Sequence, residues 1–205
     1  MIRNIVFDMG QVLIHWTPHL LLTPFHLTPE EEDMVLRELF QSVEWVRLDR
    51  GSMTHGEVIE AVCSRLPESL HPCVREVVTR WDAWTLVPME GMAALLGELK
   101  ELGMHIYLLS NANRKLREYF PRIPGSECFD GLMVSAEERL LKPQHEIFEA
   151  LLSRFDLKAE ECFFVDDAPA NVEGAMEAGL SGTVFYGDVA RLRRELRKAG
   201  IPVEP

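Results

Sequence analysis

Ile5-Val6-Phe7-Asp8 sets an acid at the end of a short apolar run, and Met9-Gly10-Gln11-Val12 follows it. β-branched and aromatic residues in succession read as a buried strand. The pattern recurs twice downstream. Tyr107-Leu108-Leu109 runs into Ser110-Asn111, and Phe163-Phe164-Val165 runs into Asp166-Asp167. Between them Leu141-Lys142-Pro143 places a lone Lys at the start of a helical pattern. In an open α/β sheet the carboxyl ends of the strands border the ligand crevice. A carboxylate nucleophile, a hydroxyl, an ammonium and a carboxylate pair gathered there can hold a phosphate and a divalent cation.

Outward from these segments the chain alternates. Residues 4–7, 104–109, 131–134, 161–165 and 182–186 are short apolar runs, and helical patterns separate the last four. Leu95, Leu96, Leu99 and Leu102 share one helical face, with Pro88 before it and Gly103 just past its end. Ile147, Leu151, Leu152 and Phe155 form another such face. Strands alternating with helices predict an α/β fold, a doubly wound (Rossmann-like) parallel sheet covered on both sides. Residues 17–85 break the rhythm and read as all helix. Thr28-Pro29-Glu30-Glu31 has the form of a capping box with Pro at the first helical position, opening a helix over 29–41. Thr54 with Glu57 repeats the box for 55–66, and a third helix is expected over 72–82. The predicted organisation is a core of 1–16 and 86–205 with a small helical insert, 17–85, after the first strand.

Composition narrows the function classes. The 205 residues carry a net charge of −12, which argues against a nucleic-acid partner, because phosphate backbones are held by dense Lys and Arg. An anionic substrate therefore needs a local positive centre, a metal or the Lys. The four Cys show no C-x-x-C spacing and read as reduced thiols of a cytoplasmic protein rather than a zinc site. The first apolar stretch is too short for a signal peptide and Asp8 interrupts it. No segment approaches the roughly 18 uninterrupted apolar residues of a membrane span. The expected partner is a small phosphorylated metabolite; oligomeric state is not legible.

The four segments, in this order and context, resemble the four motifs of the haloacid-dehalogenase-like hydrolase superfamily. That resemblance implies that Asp8 is a nucleophile forming an aspartyl-phosphate. It implies Mg²⁺ held by Asp8, the Gly10 carbonyl and Asp166, with Asp167 acting through water or a hydrogen bond behind the ligands. Ser110 and Asn111 would bind phosphoryl oxygens, and the Lys142 ammonium would neutralise charge on the transferring group. The helical insert occupies the position of the family's cap, which closes over the catalytic face.

Position 10 departs from the phosphatase pattern. Most phosphatases of the superfamily carry Asp-x-Asp, and the second Asp protonates the leaving group; here Asp8-Met9-Gly10 lacks it. Positioned acid–base catalysis is worth about 10²–10⁴ in rate. Three readings follow. The enzyme prefers esters whose leaving groups need little help; another group, such as a Gln11-held water or a His of the insert, takes over; or the protein binds a phosphorylated ligand without turning it over. The chain is similar over nearly its whole length to the α-D-glucose-1-phosphate phosphatase type, which also has Gly two residues after the nucleophile. Leu-Ser-Asn, Lys-Pro, Phe-Phe-x-Asp-Asp and Arg50-Gly51 carry that likeness, and it implies a working, Mg²⁺-dependent phosphatase of a small phosphomonoester, a sugar phosphate. The superfamily's metal-free 2-haloacid dehalogenases are a further alternative, but they do not keep a paired acid like Asp166-Asp167. Trp16, Trp45, Trp81 and Trp84 fall in or beside the insert, where aromatic faces suit either sugar rings or core packing.

Overall fold

The computed structural model describes residues 1–83 and 86–205. Trp84, one of the aromatic candidates, lies outside the described residues. In chain order the elements are β1 (Asn4–Phe7), β2 (Ile14–His15), α1 (Pro18–Leu22), α2 (Pro29–Val35), α3 (Val43–Asp49), α4 (His55–Cys63) and α5 (His71–Arg80). They continue with β3 (Val87–Pro88), α6 (Met92–Glu101), β4 (His105–Ser110), α7 (Leu116–Tyr119), β5 (Gly131–Val134) and α8 (Ser135–Glu138). The chain closes with α9 (His145–Arg154), β6 (Cys162–Asp166), α10 (Pro169–Glu177), β7 (Ser181–Val184) and α11 (Val189–Lys198).

Five strands form one sheet in the order β5-β4-β1-β6-β7, every neighbouring pair parallel. Side chains alternate across a strand. Ile5 and Phe7 therefore enter one apolar layer, with Leu95, Leu96 and Leu99 of α6 and Leu192 and Leu196 of α11. Val6 enters the opposite layer, with Ile147, Phe148 and Leu151 of α9 and Val172 and Ala175 of α10. Helices on both faces of a parallel sheet are the doubly wound arrangement that the alternation predicts. The chain leaves central β1 for β4 on one side and reaches β6 on the other, so the strand order reverses at β1. That reversal opens a crevice at the carboxyl ends of β1, β4 and β6.

Five α-helices lie between β2 and β3. The two strands pair antiparallel, Ile14 with Pro88 and His15 with Val87, so the chain's exit to the helical stretch lies beside its return. Both capping boxes are present: Thr28 with Glu31 and Thr54 with Glu57 exchange side-chain and main-chain hydrogen bonds. Several boundaries differ from the sequence reading. The helix expected over 29–41 stays α-helical only to Val35 and widens into a π turn over Leu36–Phe40. The helices expected over 55–66 and 72–82 run from His55 to Cys63 and from His71 to Arg80. The periodicity did not disclose α1, α3 or the two-residue strands β2 and β3; such short elements hold too few residues for a period to register. Val35, Leu39, Val58, Val62, Val74 and Val77 of the helical stretch are buried in the same apolar cluster as Ile5 and Phe7.

Candidate active site

Asp8 stands one residue past β1, its main-chain N–H donating to the Val165 carbonyl at 2.9 Å. Ser110 ends β4 and Asp166 ends β6, so three strand ends deliver the three polar groups to one place. Lys142 reaches the same point from the loop before α9. Its Nζ lies 2.8 Å from Asp8 Oδ1 and 2.6 Å from Asp166 Oδ2, and its side chain is buried. Burial works against the Lys142 ammonium, but the Asp8 and Asp166 charges outweigh it and hold its pKa above the ordinary lysine value. Asp8 is pushed up to about 6: burial raises it, the Lys142 charge opposes, and the Asp166 charge adds to the rise.

Asp8, Asp166 and Asp167 each offer a carboxylate oxygen within 4.8 Å of the others. Adjacent acids this close repel one another unless a cation joins them. Burial and then the Asp166 charge raise Asp167 as well. Oxygen donors of this kind suit Mg²⁺, which binds through one or two carboxylates and retains waters; the residues fit that ion.

The two adjacent acids are not equivalent. Asp166 is wholly buried, and both of its oxygens are already engaged. Its Oδ1 accepts from the Ala168 main-chain N–H at 2.8 Å and its Oδ2 from Lys142 Nζ, while Asn171 Nδ2 donates to both oxygens at 3.0 and 3.1 Å. Asp167 instead lines a cavity of about 180 Å³ shared with Asp8, Gly10 and Ser110. The geometry thus gives Asp166 protein partners at both oxygens and leaves Asp167 facing the cavity.

The main chain of Asn111 is left for the expected phosphoryl contact. Its side chain is spent on Lys142: Nδ2 donates to the Lys142 carbonyl at 3.0 Å, and Oδ1 accepts from the Lys142 N–H at 2.9 Å. It positions the lysine and leaves only main-chain atoms to face a ligand. The helix that follows runs over Leu116–Tyr119, and the Asn113 side chain turns the loop before it by accepting from the Lys115 N–H.

The far side of the cavity is aromatic. Trp16, Trp45, Trp81 and Tyr119 line it. Trp16 meets Trp81 edge-on at 4.7 Å between ring centroids, and Trp81 meets Tyr119 likewise at 4.9 Å. Of the groups named as substitutes for the acid absent at position 10, Gln11 lines the cavity, whereas His55 and His19 do not. Gln11 is closed onto Trp16, its Nε2 donating to the Trp16 carbonyl at 3.0 Å and its Oε1 accepting from the Trp16 N–H at 3.3 Å. His55 lines a neighbouring cavity, and His19 pairs with Glu32 at the surface.

A residue that the sequence reading passed over does enter the cavity: Asp49, the last residue of α3. The Asn113 main-chain N–H and the Trp45 indole partly stabilise its charged form. Burial pushes its pKa up to about 8, and the Asp8 charge adds to the rise. The signal for it was the adjoining Arg50-Gly51.

The haloacid dehalogenase-like hydrolase family matches residues 2–179. The chain belongs to this family of hydrolases. Sesquiterpene phosphatase astK of Aspergillus oryzae is 30% identical over 181 residues, which span 86% of this chain and 86% of that protein. D-ribitol-5-phosphate phosphatase of Bacteroides thetaiotaomicron is 26% identical over 189 residues, 88% of this chain and 90% of the relative. Among solved structures, a haloacid-dehalogenase-family enzyme of B. thetaiotaomicron in complex with magnesium and inorganic phosphate superposes with a TM-score of 0.68 at 24% identity, covering 94% of this chain and 99% of that one. The fold of this hydrolase is thus the family's α/β fold. No helix among its described residues is long and apolar enough to cross a membrane.

Proposed function

We propose that this hydrolase is a Mg²⁺-dependent phosphatase of a small phosphomonoester, acting through an aspartyl-phosphate on Asp8. The observation that carries the reading is the buried trio Asp8, Lys142 and Asp166, with Asp167 beside it, at the carboxyl ends of β1 and β6. Asp8 attacks phosphorus, splitting one hard displacement into two. Lys142 offsets charge on the transferring group, the Ser110 hydroxyl and the Asn111 main-chain N–H bind its oxygens, and Asn111 holds Lys142 in place. Asp8, the Gly10 carbonyl and Asp167 would hold Mg²⁺, with Asp166 behind them fixing Lys142. The ion, when bound, supplies positive charge against which the phosphate and the carboxylates are brought together. The metal-free dehalogenase reading leaves the clustered acids without a purpose.

The helical stretch 17–85 serves as the cap that selects substrate, because Trp45, Asp49 and Trp81 carry it into the cavity. Aromatic faces there suit the carbon skeleton of a phosphorylated metabolite. A sugar or polyol phosphate is the reading favoured by the likeness to D-ribitol-5-phosphate phosphatase. A prenyl phosphate belongs in the same screen because astK is a sesquiterpene phosphatase. The test is phosphate release over such a panel with Mg²⁺ and with EDTA. Release that requires Mg²⁺ is the expected result. Binding without release would make the protein a phospho-ligand carrier, and metal-independent halide release from a 2-haloacid would make it a dehalogenase.

A further inference from the structure

We propose that Asp49 is the general acid and base of this enzyme, filling the role for which position 10 carries no side chain; the proposal rests on the phosphatase reading above. Asp8 enters the cavity from the sheet, whereas Asp49 enters it from α3 of the helical insertion. An in-line displacement expels the leaving oxygen on the side of phosphorus away from the nucleophile, and an alkoxide departing there needs a proton. The titratable groups lining the cavity among the described residues are Asp8, Asp49, Tyr119 and Asp167. Asp8 is the nucleophile, and Asp167 stands beside Asp166 in the acid cluster. Burial holds the Tyr119 phenol well above its ordinary value, so it cannot supply the base that must take a proton from water. Asp49 remains.

Its placement is built in. The Ser135 hydroxyl donates to the Asp49 carbonyl at 2.5 Å and accepts from the Ala112 N–H at 2.9 Å, tying the end of α3 to the loop after β4. Two residues on, Gly51 sits at φ +71° with its Cα so close to α8 that a Cβ would lie 2.1 Å from the Ala136 carbonyl oxygen. Only glycine permits that approach. The carboxyl shares the cavity wall with Asn113 and Trp45. Its elevated pKa supports the same role, since a carboxyl kept protonated near neutral pH can give its proton to a leaving group.

The chemistry balances. In the first half, an Asp8 oxygen bonds to phosphorus, the bond from phosphorus to the leaving oxygen breaks, and that oxygen takes the Asp49 proton and departs as the alcohol. In the second half, the Asp49 carboxylate takes a proton from water as the water oxygen bonds to phosphorus. The Asp8–phosphorus bond breaks, releasing phosphate and restoring both carboxyls.

The test compares benzyl phosphate with 4-nitrophenyl phosphate, two ring-bearing esters whose leaving groups do and do not need a proton. Asp49→Asn should lower kcat/KM for the benzyl ester by about 10²–10⁴, and for the nitrophenyl ester by no more than about tenfold. Equal losses on both esters overturn the assignment, because a merely structural role would not distinguish leaving groups. If the Asn variant fails to fold, the parent protein decides. Its kcat/KM across substituted phenyl phosphates should vary by less than about tenfold, and a steep fall with weaker leaving groups overturns the assignment. A parent that hydrolyses no phosphate ester overturns this assignment together with the phosphatase reading; equal losses overturn this assignment alone.

Discussion

Lys142 Nζ lies 2.8 Å from the Asp8 carboxylate, with both side chains withdrawn from solvent. The pair is held at both ends: Asp166 bonds the same ammonium at 2.6 Å, and the Asn111 amide grips the Lys142 main chain. A single buried cation thus serves two carboxylates. With Asp167 beside them, the cluster sets three carboxylates against one ammonium before any substrate phosphate arrives.

Replacing the cation should be severe. Lys142→Met keeps most of the volume but leaves Asp8 and Asp166 unpaired, and breaking a buried pair in this way costs about 3–5 kcal/mol. Chemical denaturation of the metal-free variant should show that loss together with abolished turnover. Parent-like stability would mean that the three groups are not coupled as the geometry implies.

Mg²⁺ should raise the Tm, because it binds the folded acid cluster and not the unfolded chain. At 100 times its Kd the gain is about 2.7 kcal/mol. Asp167→Asn should lose most of this response with little change in metal-free stability, whereas Asp166→Asn should destabilise the metal-free protein by disturbing Lys142, Ala168 and Asn171. A parent melting curve unmoved by millimolar Mg²⁺ would count against the metal site.

Asp8 contributes to the pH dependence of metal-free stability with a definite sign, which the Asp8→Asn comparison isolates. Its pKa is raised by folding from 3.8 to about 6, so its contribution is fully present below the unfolded value and is lost as pH rises through the folded one. In EDTA, the parent should therefore gain about 1.4 kcal/mol from this group between pH 8 and pH 5, one pH unit being about 1.4 kcal/mol. Asp8→Asn should remove that increment from the stability difference between the two pH values. An identical pH dependence in parent and variant would show that Asp8 does not titrate as the buried geometry requires.

These contrasts show which parts of the site were legible in the sequence. Asp8, Ser110 and Asp166 follow unbroken apolar runs, and a polar residue ending a buried parallel strand is a local pattern that fixes its own location at the crevice. Thr28 and Thr54 were readable for the same reason, since a capping box spans only four residues. Asp49 was readable only indirectly, through the adjoining Arg50-Gly51. Its place over the site depends on Ser135 and Ala136, far away in the chain, and on a glycine whose significance appears only against α8. The different duties of Asp166 and Asp167 were equally hidden, because adjacent positions at a strand end turn to different surroundings that only the folded neighbours define. The grip of the Asn111 side chain on the Lys142 backbone was hidden too, because it spans 31 residues of sequence.

The central claim is a covalent bond between Asp8 and phosphorus, and trapping it is the most direct test. The parent protein, mixed with Mg²⁺ and its best phosphate ester from the screen, is quenched in acid during turnover and reduced with borohydride. Reduction of an aspartyl-phosphate yields homoserine, which mass spectrometry locates by peptide. The account predicts homoserine at position 8, dependent on substrate and absent from Asp8→Asn. Efficient phosphate release with no modification at position 8, or with parent-like turnover by the Asn variant, would contradict it.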